Sequence, residues 1–82
     1  MMAKHIIDKS ICDRAVYAIE TRHEALGVSI DEVMREIGLI RMNYYKWKYH
    51  EHLPSVYALQ AMALAGYDVI YILTGNMNGE TA

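Results

Sequence analysis

The chain has only one cysteine, Cys12, in 82 residues. That excludes an intramolecular disulfide and any cysteine-rich zinc module, and a lone thiol fits a reducing compartment. Its expected role is that of a small buried apolar filler. There is one proline, Pro54, and no repeat, low-complexity tract or internal linker, so an array or multidomain organisation is not expected. Long hydrophobic runs are missing too. The longest stretch without charge, Leu53 to Tyr67, is interrupted by Pro54, Ser55 and Gln60, and no segment is long and apolar enough to span a bilayer. No apolar run follows a basic cluster near Met1, so a secretory signal is not expected and the expected location is cytoplasmic. Alternation with period two is absent where the apolar residues lie, and the one Asn-Gly pair, Asn78-Gly79, sits in the tail. Strands are therefore not expected.

What is present is a chain 54% apolar and 22% charged, with 8 Lys and Arg against 10 Asp and Glu and a net charge of −2. The apolar fraction is too high for a disordered chain. A chain this short buries about 60–65% of its extended surface, which limits it to one domain of a few short elements and makes oligomerisation a common supplement. A large enzyme with a deep cleft is excluded. The acidic balance argues against indiscriminate coating of nucleic acid, but the charge is unevenly spread. Five basic and seven acidic side chains lie before Ile37, and after His52 only Asp68 and Glu80 remain. Between them Arg41, Lys46 and Lys48 face the single Glu51, with His50 and His52 adjacent. A small basic island thus sits mid-chain.

Gly27, Gly38, Pro54, Gly66 and Gly75 divide the chain into segments that each read as one short helix. In the first, Ile11, Ala15, Ala18, Ile19, Arg22 and Leu26 recur at three- and four-residue spacing, predicting a helix from Ser10 to about Ala25 closed by Gly27. Ser29-Ile30-Asp31-Glu32 has the form of a capping box, and a two-turn helix should run from Ile30 to Ile37 with Val33, Met34 and Ile37 inward. A third helix is expected from Arg41 to about Tyr49, with Tyr44 and Trp47 facing the core and Arg41, Met42, Tyr45, Lys46 and Lys48 outward. Ser55 should cap a fourth, with Val56, Leu59, Met62 and Ala63 inward, and Asp68 a fifth from Val69 to Leu73. The reading is an all-α five-helix domain over 10–75, with an N-terminal arm over 1–9 and a polar tail over 76–82.

Two short helices joined by a tight turn at a glycine, the second carrying basic and polar residues outward, make a helix-turn-helix arrangement. At Gly27 to Gly38, at the helix ending in Trp47, and at Leu53-Pro54-Ser55, Leu59 and Gly66 the chain resembles the lambdoid phage repressor and Cro superfamily. The closing run Gly66-Tyr67-Asp68-Val69-Ile70-Tyr71-Ile72-Leu73-Thr74-Gly75 is the most specific part of the likeness. The resemblance implies a five-helix lambda-repressor-like DNA-binding domain, a small phage or prophage transcriptional regulator that binds a pseudo-palindromic operator as a homodimer. It implies Arg41, Met42, Tyr45 and Lys46 as base readers, and Asn43, Lys48, His50 and His52 as phosphate contacts. No cofactor, metal, membrane or small-molecule substrate is implied. The chain departs from the family pattern at four positions. Ile30 replaces a phosphate-reaching Gln or Ser, Met34 a small Ala at the helix crossing, Ile40 a capping Ser or Thr, and His50 a common Gly, which implies a different path for the following loop.

Tyr67, Ile70, Tyr71 and Ile72 exceed what a short terminal helix needs for its own packing, and a dimer surface is expected there. The His50-Glu51-His52 triplet is not expected to bind metal, because residues two apart on a helix point about 200° from each other. Neither paired carboxylates on one face nor a Ser/His/Asp order appears, so an enzyme is not expected. The competing reading is a protein-interaction module, antitoxin-like or adaptor, that uses the same scaffold and its tyrosine-rich surface.

Overall fold

The computed structural model describes residues 8–76, which form five helices and, among the described residues, no strand. Helix α1 spans Lys9–Leu26, α2 Ile30–Ile37, α3 Arg41–Lys48, α4 Val56–Leu64 and α5 Val69–Thr74. Asp8 starts α1 by accepting from the Ser10 amide at 3.0 Å, so the helix begins earlier than the apolar spacing predicts. The expected arm therefore yields Lys9 to α1 and Asp8 to its cap, and the remainder of the arm and 77–82 of the tail lie outside the described residues. Ser29, Ser55 and Asp68 cap α2, α4 and α5 by accepting from the amides of Glu32, Ala58 and Tyr71. Each satisfies a donor that has no partner within its own helix.

Helix α1 is the central element and packs against α2, α3 and α5, while α3 also lies on α2 and α4 on α5. The core takes Cys12, Ala15 and Ile19 from α1, Val33, Met34 and Ile37 from α2, Tyr44 and Trp47 from α3, Ala58 and Met62 from α4, and Ile72 from α5. Met34, at the position where the resemblance expects a small residue, is wholly buried between the helices. Between α2 and α3 the chain turns on Gly38 at φ 97°, a conformation a Cβ disfavours. The amides of Gly38 and Leu39 both return to the Met34 carbonyl, which closes α2 before α3 begins.

Three expectations are corrected. On α1 the stripe does not continue to Arg22 and Leu26, both exposed, because the last turn of the helix runs past the core. On α4 Val56 and Ala63 point outward, and Ala58 and Met62 are the buried pair. The sequence of α4 carries no charge and only one strongly polar residue, Gln60, so its periodicity has too little contrast to select a face. On α5 Ile72 belongs to the core and offers no surface to a partner, leaving Ile70 exposed and Tyr67 and Tyr71 half-buried. That end of the fold is tied to α1 by Arg14, whose guanidinium donates to the carbonyls of Ile72 at 2.9 Å and Leu73 at 3.3 Å. A cation at those last-turn carbonyls also complements the helix dipole. No described helix is long and apolar enough to cross a membrane.

Candidate nucleic-acid interface

Helix α3 has two sides set by its own sequence. Tyr44 and Trp47, three residues apart, are both buried, as their spacing predicts. At 100° per residue Met42 and Tyr49 then lie on the side away from the core, with Tyr45 beside them and Arg41 and Lys46 on the two flanks. Met42 is 55% and Tyr49 63% exposed. The four expected base readers, Arg41, Met42, Tyr45 and Lys46, are therefore brought to one outer face. Lys46 is the least exposed of them. Among the described residues neither the Arg41 guanidinium nor the Lys46 ammonium has a hydrogen-bond or ion-pair partner. Asp31, which lines a depression of about 450 Å³ with Ile40, Arg41, Met42 and Tyr45, is held instead by Arg35 at 3.2 Å.

The start of α3 has no side-chain cap at Ile40. Asn43 supplies the missing contact from inside the helix, its Oδ1 accepting from the Ile40 amide at 3.2 Å. Of the four residues expected to touch phosphate, three are already engaged within the chain. Asn43 is the first. Lys48 leans toward α1, its ammonium 3.7 Å from Glu20 Oε2 and 3.5 Å from the Tyr44 hydroxyl. His50 turns to α1 as well, with Nε2 2.7 Å from Asp13 Oδ1. The His52 side chain is exposed, in a depression it shares with Asn43, Lys46, Trp47, Leu53 and Ser55.

His50 itself takes a left-handed conformation, φ 59°, the one a glycine would supply most readily. Its replacement of glycine thus does not prevent a left-handed turn after α3. The amides of Glu51 and His52 return to the Lys46 carbonyl, and the Cys12 thiol donates to the His52 carbonyl at 3.4 Å. This loop is consequently fastened to both α3 and α1.

The rear of α3 is anchored through Tyr44, whose hydroxyl donates to Glu20 Oε2 at 2.5 Å. Burial, and then the hydrogen bond to and negative charge of Glu20, push the phenol well above its ordinary value. In front, Tyr45 stacks on Tyr49 with ring centroids 6.2 Å apart and planes 11° from parallel. Tyr49 and Ile40 are outer-face residues that the sequence reading passed over. The i, i+4 relation of Tyr45 to Tyr49, and the seven-residue spacing of Met42 and Tyr49, are the signal in the sequence.

The expected dimer residues are on a different element, and only Ile70 among them is well exposed. No group of three or more His, Cys, Asp or Glu among the described residues stands close enough to hold a metal ion. Compared with models of known families, with curated proteins and with solved structures, the chain finds no match.

Proposed function

We propose that α2, the turn at Gly38 and α3 form a helix-turn-helix of the lambda-repressor-like type, and that the protein is a sequence-specific DNA-binding transcriptional regulator. The observation that carries this reading is the pair of uncommitted cations, Arg41 and Lys46, flanking Met42 and Tyr45 on a helix whose opposite side is sealed by Tyr44 and Trp47. An α-helix presented this way fits the major groove. Arg41 suits a bidentate contact to guanine, worth about 1–3 kcal/mol of discrimination, and Met42 suits the methyl group of thymine. Lys46, at the edge nearest His52, suits a phosphate. Lys48 and His50 act here as fasteners of α3 and its loop, through Glu20 and Asp13.

Selection from a random duplex pool tests the reading. The expected product is a pseudo-palindrome with half-site centres about 34–36 Å apart, one helical turn. Arg41→Ala should relax the preference at one base pair, and Lys46→Ala should reduce the salt slope of log K by about 2 for a dimer. Failure of the pool to enrich any sequence at low salt rejects the proposal.

The apolar share of the outer face, from Ile40, Met42 and Tyr49, favours a second reading, a protein-interaction module. It would be preferred if the pool yields nothing and a purified protein partner binds with an affinity independent of both nuclease and salt.

A further inference from the structure

The most exposed large apolar side chains among the described residues lie on α4, not on α3 or α5: Val56 at 82%, Tyr57 at 82% and Leu64 at 83%. Gln60 and Ala63 are exposed beside them. At 100° per residue these five positions fall within an arc of roughly 120° centred on Gln60, opposite the buried pair Ala58 and Met62. An uncharged, largely apolar stripe of this kind, interrupted only by Gln60, marks on so small a domain a surface suited to being covered.

We infer that this face pairs with the same face of a second copy of the chain, as two antiparallel α4 helices related by a two-fold axis through Gln60. The stripe is complementary to itself in that arrangement. Val56 lies across from Leu64 of the second copy, and the Tyr57 ring lies over Ala63 of the second copy, whose small side chain leaves room for it. The two Gln60 carboxamides meet at the axis, each offering a donor and an acceptor, so both can be satisfied. A self-pairing helix must also avoid setting like charges against one another, and from Leu53 to Tyr67 there is none to set. The face offers on the order of 500 Å² per copy, so the pair covers about 1,000 Å², near the lower bound for a specific interface. A dimer in the micromolar range is expected. The inference places the two-fold contact on α4 instead of the Tyr67 to Ile72 segment, whose Ile72 is consumed by the core. It holds or fails without DNA and so stands apart from the proposed function.

Sedimentation equilibrium of the full chain, without duplex, tests it. The parent should form a dimer in the micromolar range. Val56→Glu and Leu64→Lys should each weaken association at least tenfold while leaving helical content and the melting temperature of the dilute monomer unchanged. Both sites are solvent-exposed, and each new charge favours its own end of the α4 dipole. In the double variant each glutamate faces a lysine of the second copy, eight residues away from the lysine on its own chain, and association should recover. A parent that stays monomeric at several hundred micromolar overturns the inference and assigns the face to another partner. Single variants that dimerise like the parent overturn it as well, and a double variant no better than either single overturns the antiparallel register.

Discussion

Replacing Tyr44 by phenylalanine probes how α3 is held to α1, and the outcome should differ on the two sides of pH 10. The Tyr44 residue is 3% exposed and its hydroxyl donates to Glu20 Oε2 at 2.5 Å. Phenylalanine fills the same ring volume, so the change removes the hydrogen bond and opens no cavity. A hydrogen bond to a charged group contributes about 1.5–3 kcal/mol net. The Glu20 side chain is 41% exposed and regains water when the phenol is gone, which lowers the expected loss at neutral pH to about 1 kcal/mol. In a domain of this size that corresponds to a fall in Tm of about 4–8 °C.

Alkaline pH should erase the difference. Burial and the adjacent Glu20 carboxylate raise the Tyr44 phenol above its ordinary 10.0, so the folded protein keeps a proton that the unfolded chain releases. The stability associated with that proton is intact below pH 10 and is lost as pH rises above it. At pH 11 an unfolded tyrosine is about nine-tenths ionised, and the linkage penalty for one such group is about 1.4 kcal/mol. Tyr44→Phe carries no such penalty. Urea melts of both proteins at pH 7, 9 and 11 should therefore show a gap of about 1 kcal/mol that closes near pH 11, the remaining tyrosines being common to both. A gap that persists unchanged at pH 11 refutes the burial argument, and equal stability at pH 7 refutes the contribution of the Glu20 bond.

Other substitutions test the packing and the turn. Met62→Ala empties a fully buried position and should cost about 2–5 kcal/mol, enough to bring the domain close to unfolding at 37 °C. Val56→Ala, on the outer side of the same helix, should change stability by less than about 0.5 kcal/mol in urea melts of the dilute monomer. Gly38→Ala should lose about 1–2 kcal/mol through φ alone, since a Cβ there meets nothing within 4 Å; an asparagine should lose less. The Cys12 thiol, raised by burial and by the charges of Asp13 and Asp8, should react with a disulfide reagent at pH 8 only through opening of the fold. Its rate should rise with urea, and a free-thiol rate in the native protein would contradict that.

Much of the architecture was legible because it rests on local chemistry. Ser29, Ser55 and Asp68 precede their helices as caps, and Tyr44 and Trp47, three residues apart, mark the inward side of a helix whose charges lie elsewhere. The outer placement of Arg41, Met42 and Tyr45 follows from that pair, since a helix has no freedom to turn one residue without the rest. Where contrast was lacking, the reading failed. Helices α4 and α5 carry no charge between Val56 and Leu64 or between Val69 and Thr74, and the single Gln60 gives too little contrast to mark Met62 over Val56, or Ile72 over Ile70, as the buried member.

The engagement of Lys48 and His50 was invisible for a different reason. Their partners, Glu20 and Asp13, lie 28 and 37 residues earlier in the chain, and no local pattern relates a side chain on α3 to one on α1. Element type, element ends and the two-sided character of α3 were thus determined by the chain itself, through caps and periodicity that act over four residues or fewer. Which cations stay available, which face of α4 is left uncovered and how α5 is held by Arg14 were decided only in the folded state, because each depends on groups that meet when α1 docks against α3 and α5 and α4 docks against α5.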